Sequence, residues 1–153
     1  MSGAEKVLFD TNVLVYAHDR NEPVKGAQAQ NLLAQVLTAG VPRLSTQVLS
    51  EFYWTVTRKL RVPLTHDEAV AEVNRLAACA DVIPVTLQVL ERAFQAIAKH
   101  GMPLWDAQIF AVAVLQGVSF VLSEDFQHRQ TIDGTTFLNP FAADFQLIDV
   151  LTP

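Results

Sequence analysis

The chain has 153 residues, of which 50% are hydrophobic and 18% are charged, and its net charge is −5. This length and composition favour one folded domain and exclude a disordered or collagen-like chain. No run of about eighteen apolar residues occurs, which excludes a membrane-spanning helix. We expect no secretion signal in MSGAEK, and the single cysteine, Cys79, predicts a protein of a reducing compartment, the cytoplasm.

The acidic charge balance argues against a protein that coats nucleic acid with a broad basic surface. It does not exclude a site that handles phosphates through a bound metal ion. The carboxylate ligands of such a site are negative when no metal is bound, so they would contribute to the net charge.

Apolar periodicity and capping residues predict short strands that alternate with helices along the chain. In chain order they are a strand at 7–9, a helix from 23 to a stop at Gly40, a strand at 41–45, a helix at 46–60, a helix at 66–79 behind a Thr65/Glu68 capping box, a strand at 81–85, a helix from Thr86 to about Lys99, a helix from Pro103 to about Gln116, a strand at 118–123 and a strand at 135–138.

This alternation predicts an α/β fold: a single-domain, three-layer sandwich with a mostly parallel central sheet and helices on both faces. We expect one domain over 1–153, in which the tail 142–153 has no assigned role. In the helix from Thr86, the spacing predicts that Val89, Leu90, Ala93, Phe94 and Ile97 face inward.

Two carboxylates follow predicted strands. Asp10 comes directly after strand 7–9, and Asp125 follows strand 118–123 by two residues. Ligands of open parallel sheets bind at the carboxyl ends of the strands. If these two strands are neighbours, both carboxylates lie at the same edge of the sheet.

Two predicted helices carry further acids beside apolar stripes. Asp106 lies in a first helical turn and shares its face with Ile109, Phe110 and Ala113, so it points towards the sheet. Glu51 lies in the second turn of its helix, next to the buried stripe. A buried carboxylate is costly unless it is paired or binds a metal ion.

Each acid also has a purely structural interpretation. Asp10 and Asp125 are ordinary turn or capping residues, Asp106 gains from the helix dipole, and Glu51 fits a solvated helix face. Together, the four acids suggest a metal site, because carboxylates without cysteine or histidine partners suit Mg²⁺ or Mn²⁺.

The motifs FDTNVLVYAHD, STQVLSEFYWTVTRKL, MPLWDAQIFAVA, VLSEDF and FLNPF follow one another between residue 7 and about residue 141. In this order they resemble the PIN-domain family, and within it the VapC-type toxin ribonucleases of toxin–antitoxin pairs. A tail beyond NPF departs from family members that end there.

The resemblance implies an endoribonuclease that depends on Mg²⁺ or Mn²⁺ and is the toxin of a type II toxin–antitoxin pair. Asp10, Glu51, Asp106 and Asp125 would be its catalytic metal ligands, supported by Asn12 and Ser123. RNA would be the substrate, and a cognate antitoxin and a second copy of the chain would be the partners. Asp19 has no assigned role.

Basic and aromatic residues give less specific predictions. Arg58, Lys59, Arg61 and Arg129 are candidate contacts to the RNA backbone, although a solvated helix end, favoured by the helix dipole, explains them somewhat better. For Phe52, Tyr53 and Trp54, core or interface packing is favoured over a platform for base stacking.

Other functions stay open. The same acidic site could process precursor RNA or cut structured DNA, or the fold could serve as a non-catalytic scaffold that binds a protein. An aspartate-nucleophile phosphatase or receiver domain fits poorly, because Asn12 stands where a second acid is usual and no lysine follows Lys99.

Overall fold

The computed structural model describes residues 3–152. Its strands are β1 (Val7–Phe9), β2 (Arg43–Ser45), β3 (Asp81–Ile83), β4 (Phe120–Leu122), β5 (Thr131–Ile132) and β6 (Thr135–Leu138). Its helices are α1 (Thr11–Tyr16), α2 (Pro23–Ala39), α3 (Thr46–Arg58), α4 (His66–Cys79), α5 (Leu87–His100), α6 (Leu104–Leu115) and α7 (Ile148–Leu151), and one 3₁₀ turn covers Ala4–Lys6. None of the helices in this range is long and apolar enough to cross a membrane.

The strands of the described range form one sheet in the order β3-β2-β1-β4-β6-β5. Neighbouring strands are parallel except β5 and β6, which pair antiparallel. Helices cover both faces, so the predicted α/β sandwich with a mostly parallel sheet is confirmed. The adjacency of β1 and β4, on which the proximity of Asp10 and Asp125 depended, is also confirmed.

Helix capping accounts for most of the helix boundaries. Thr65 and Glu68 form the predicted capping box at the start of α4. Ser45 caps α3 and Thr86 caps α5, each accepting a hydrogen bond from the backbone three residues later. Gly101 ends α5 in the left-handed conformation, with φ 66°.

The core lies between the sheet and the helices, and β1 and most of α6 are fully buried. One inward-facing prediction in α5 is wrong. Val89 and Ala93 are buried, but the ring of Phe94 is 55% exposed. The buried stripe of α5 continues through Ala96 instead.

The tail packs against the beginning of the chain. Val150 in α7 is fully buried, and α7 contacts the 3₁₀ turn Ala4–Lys6. A Cβ at Gly3 would lie 2.2 Å from the carbonyl oxygen of Leu151, so this approach requires glycine. The sequence did not predict α7, a helix of four residues.

Candidate active site

The register of β1 and β4 places Asp10 beside Ser123. Phe9 pairs with Leu122, and the amide of Asp10 extends this ladder by donating to the Leu122 carbonyl over 2.9 Å. Asp10 then caps α1, where its Oδ1 accepts from the Thr11 amide at 2.7 Å. Both predicted side chains therefore leave the sheet at the carboxyl ends of adjacent parallel strands.

The carboxylate of Asp10 is almost completely buried, with 3% of its surface exposed. Ser123 donates to its Oδ2 at 2.6 Å. Burial raises the pKa of Asp10 from 3.8 to about 6, against the lowering effect of the bonds from Ser123 and Thr11, and the charges of Asp125 and Glu51 raise it further. Asp10 therefore releases its proton at a higher pH than an ordinary aspartate does.

Asn12 links the two acids that follow the strands. Its Nδ2 lies 3.0 Å from Oδ2 of Asp125, 3.4 Å from Oδ2 of Asp10 and 3.3 Å from the Ser123 hydroxyl. Its Oδ1 accepts from the amide of Glu124 at 3.3 Å. The side chain of Asn12 therefore connects Asp10 to the turn that carries Asp125.

Glu51 reaches the site from α3, whose start is fixed by the Ser45 cap. Thr11 donates to its Oε2 at 3.3 Å, and Gln47, one turn earlier in α3, donates to its Oε1 at 2.5 Å. Gln47 in turn accepts from Gln108 of α6 at 3.0 Å. Hydrogen bonds thus connect Glu51 to both α1 and α6.

Asp106 lies in the first turn of α6, whose buried residues include Ile109, Phe110 and Ala113, as the predicted stripe required. Its side chain is half-buried. Burial raises its pKa, and the neighbouring charges of Asp125 and Glu51 raise it further. The pKa values of two of the four acids are therefore raised above the ordinary value of an aspartate in the metal-free protein.

The four acids line one open cleft of about 390 Å³, which we call the acidic cleft. Its walls also include Asn12, Tyr16, Asp19, Lys59 and Trp105. Within residues 3–152, no three histidine, cysteine or carboxylate side chains stand close enough to share a metal ion as they are placed. The acids face a common space without forming a closed coordination cage.

The donor chemistry of the acidic cleft fits a hard divalent cation. Its candidate ligands are carboxylates from four separate elements, and the described residues that line it include no histidine or cysteine. Burial raises the pKa values of Asp10 and Asp106 first, the charges of Asp125 and Glu51 raise them further, and a bound cation would offset both effects. Mg²⁺ or Mn²⁺ therefore fits the residues present.

The four predicted basic contacts lie in different places. Lys59 lines the acidic cleft, and Arg58 lies in the last turn of α3, 5.6 Å from the ring centre of Trp54. Arg61 is exposed in the loop that follows. Arg129 pairs with Asp144 of the tail at 3.2 Å and lines a separate cavity of about 220 Å³. The structure therefore brings Lys59 to the acids and leaves Arg129 apart.

Sequence reasoning missed an ion pair at the rim. Glu124 accepts a hydrogen bond from the Tyr16 hydroxyl and pairs with Lys25 of α2 at 2.8 Å. The ammonium group of Lys25 also lies 4.8 Å from the centre of the Tyr16 ring. The motif Ser-Glu-Asp contained Glu124, but its partners come from distant positions that no local pattern reveals.

The core packing predicted for the aromatic residues of α3 holds for Phe52 and in part for Tyr53, which packs against the core, but not for Trp54. Phe52 is fully buried, Tyr53 is half-buried, and the indole of Trp54 is 47% exposed. Trp105, to which the sequence gave no role, is 62% exposed. Both tryptophans therefore lie outside the core.

The model of the PIN domain family matches residues 7–133. No curated protein sequence matches the chain. Solved structures do, among them VapC20 of Mycobacterium tuberculosis, described as a toxin that cleaves the sarcin–ricin loop, with TM-score 0.64 and 24% identity over 78% of this chain and 89% of that one.

Two further solved structures share this fold. A toxin–antitoxin complex from Klebsiella pneumoniae has TM-score 0.63 and 20% identity, over 88% of this chain and 98% of that one. VapBC2 from Rickettsia felis, bound to a DNA fragment from its promoter, has TM-score 0.58 and 13% identity, over 86% and 96%.

Proposed function

Because the chain belongs to the PIN-domain family, we propose that it is an endoribonuclease that depends on Mg²⁺ or Mn²⁺. One observation carries this proposal: four carboxylates from separate elements line a single cleft at the carboxyl end of a parallel sheet. Such a set concentrates negative charge that only bound cations or protons can offset.

Asp10, Glu51, Asp106 and Asp125 would hold the cation. The chemistry that Mg²⁺ or Mn²⁺ supplies when bound is Lewis acidity, which activates water and neutralises charge on a phosphodiester. Hydrolysis by water leaves 5′-phosphate and 3′-hydroxyl ends, and the 2′-hydroxyl takes no part. This distinguishes the proposed reaction from cleavage by the 2′-hydroxyl itself.

The side chains of this protein position the acids. Ser123 and the Thr11 amide hold Asp10, and Asn12 holds the turn of Asp125. Because the bonds from Ser123 and Thr11 stabilise the ionised form of Asp10, they lower its pKa against the effect of burial and favour cation binding near neutral pH. Lys59 brings positive charge to the wall of the acidic cleft, where a phosphate of the RNA would approach.

The biological role that we propose is that of the toxin in a type II toxin–antitoxin pair in the cytoplasm. The neighbours described as toxins or toxin–antitoxin complexes support this role. A cognate antitoxin and a second copy of the chain are the proposed protein partners. A molar mass in solution of about twice 16.9 kDa would support the homodimer.

We expect the purified chain to cleave single-stranded RNA when Mg²⁺ or Mn²⁺ is present and to stop when EDTA removes it. The test is gel analysis of a labelled RNA together with enzymatic typing of the new ends. Cleavage that survives EDTA, or ends that carry a 2′,3′-cyclic phosphate, would contradict the proposal. Cleavage of matched single-stranded DNA at the same rate would contradict the choice of RNA.

A further inference from the structure

A second cavity of about 590 Å³ opens beside the acidic cleft, and we call it the tryptophan groove. Trp54 and Trp105 line it, and its walls also include Thr46, Gln47 and Val85. Glu51, Thr55, Lys59 and Trp105 line both the groove and the acidic cleft. The two cavities are therefore adjacent and share a wall, and their volumes fall in the range of small-molecule sites.

The two indoles come from different elements and are both accessible to solvent. Trp54 lies on α3, one turn after Glu51, and Trp105 directly precedes Asp106 at the start of α6. Their side chains are 47% and 62% exposed. Each tryptophan is thus tied through its own helix to one of the candidate metal ligands.

Two cationic side chains lie close to the Trp54 ring. The Lys59 ammonium lies 5.0 Å and the Arg58 guanidinium carbon 5.6 Å from the ring centre. In a chain of net charge −5, this pair stands next to an acidic cleft. Aromatic rings and cations side by side match the bases and phosphates of a single strand of nucleic acid.

The floor of the groove is held in place by hydrogen bonds. Gln47 donates to the Trp105 carbonyl at 3.1 Å and accepts from Gln108 at 3.0 Å. The same amide of Gln47 bonds to Glu51. The side chain of Gln47 therefore holds the backbone of Trp105, in the tryptophan groove, next to the carboxylate of Glu51, in the acidic cleft.

We propose that the tryptophan groove is a nucleobase subsite, in which an unstacked base of single-stranded RNA lies against Trp54 and Trp105. This inference rests on the proposed ribonuclease function and names its substrate class more closely. Arg58 and Lys59 contact the phosphate that joins this base to the next nucleotide. A base in a duplex is stacked on both faces and does not enter, so single strands and loops are the substrates.

The test is binding rather than cleavage, in the Asp10→Asn background, so that the probe survives. The probes are a fluorescent oligoadenylate of about twelve nucleotides and an abasic chain of the same length and charge. We expect Trp54→Ala and Trp105→Ala each to weaken binding of the oligoadenylate by about 5- to 150-fold. Binding of the abasic chain is expected to stay the same, because it depends on charge alone.

Phe94→Ala is the matched control, because Phe94 is an exposed aromatic residue on α5 that lies outside both cavities. We expect it to bind both probes as the Asp10→Asn parent does. Trp54→Phe and Trp105→Phe retain a stacking face and are expected to recover part of the lost affinity. Thermal unfolding of each variant separates loss of stacking from loss of fold.

Two results would overturn the subsite. One is equal binding of the oligoadenylate by the parent and both folded alanine variants. The other is unchanged binding of RNA together with lost binding of a protein antitoxin, which would make the groove a protein-binding surface. The proposed ribonuclease function has a separate test: it fails if the unaltered chain does not cleave RNA. The subsite is tested by the binding measurements alone.

Discussion

Asp10→Asn is expected to lower the rate of metal-dependent RNA cleavage by on the order of a thousandfold, while the chain stays folded. The substitution keeps the shape of the side chain. Its amide oxygen can still accept from the Thr11 amide, and its NH2 group, in place of Oδ2, can donate to the Ser123 hydroxyl. It removes the charge that would bind the cation, which supplies several kcal/mol of stabilisation to the transition state. The measurement is the initial rate of cleavage at fixed Mg²⁺.

Asp149→Asn is the control for this loss, because Asp149 is an exposed carboxylate of α7 away from the acidic cleft. We expect it to cleave at the rate of the unaltered chain. Asp106→Asn is expected to lose activity as Asp10→Asn does, because both carboxylates face the same cleft. Undiminished cleavage by a folded Asp10→Asn/Asp106→Asn variant would show that other residues perform the reaction.

In metal-free buffer, Asp10 is expected to destabilise the protein increasingly as the pH rises. Its pKa is about 6 in the folded chain, against 3.8 ordinarily, so the folded state binds this proton more tightly than the unfolded state. The destabilisation is absent below about pH 3.8, grows through the interval up to about pH 6 and is complete above it. The difference in pKa corresponds to about 3 kcal/mol.

Urea unfolding of the unaltered chain and of Asp10→Asn at several pH values measures this effect. Other groups titrate in the same interval, and the lowered pKa of Glu72, for example, adds stability that is lost in acid. Subtracting the two unfolding free energies cancels these groups. We expect Asp10→Asn to gain about 3 kcal/mol over the unaltered chain between about pH 3.5 and about pH 7. A constant difference would contradict the raised pKa.

The order of the larger elements could be predicted because each carries a local signal. The Thr65/Glu68 pair, the Thr86 cap and Gly101 mark helix ends in the sequence itself, and the structure has those ends. The short elements α1, β5 and α7 carry no comparable signal, since two to six residues do not establish a period. Phe94 fits a helical stripe in sequence, but only tertiary packing decides which side of that stripe is covered.

The convergence of the acids could be predicted in part. Asp10 and Asp125 follow strands, and the fold supports their proximity because β1 and β4 are neighbours. The hydrogen bonds between Gln47 and Gln108 and between Tyr16 and Lys25 could not be predicted, because each joins side chains from separate elements. The exposure of Trp54 was not predicted either, since its neighbour Phe52 on the same helix is fully buried.

Calorimetric titration of the protein with Mn²⁺ at neutral pH tests the central claim, a metal site built by the four carboxylates, most directly. Neutral pH matters because Asp10 must release its proton for a cation to bind. We expect the unaltered chain and Asp149→Asn to bind Mn²⁺ alike, and Asp10→Asn and Asp106→Asn to bind it at least about tenfold more weakly. Absence of Mn²⁺ binding by the folded, unaltered chain, or equal binding by all four proteins, would contradict the account.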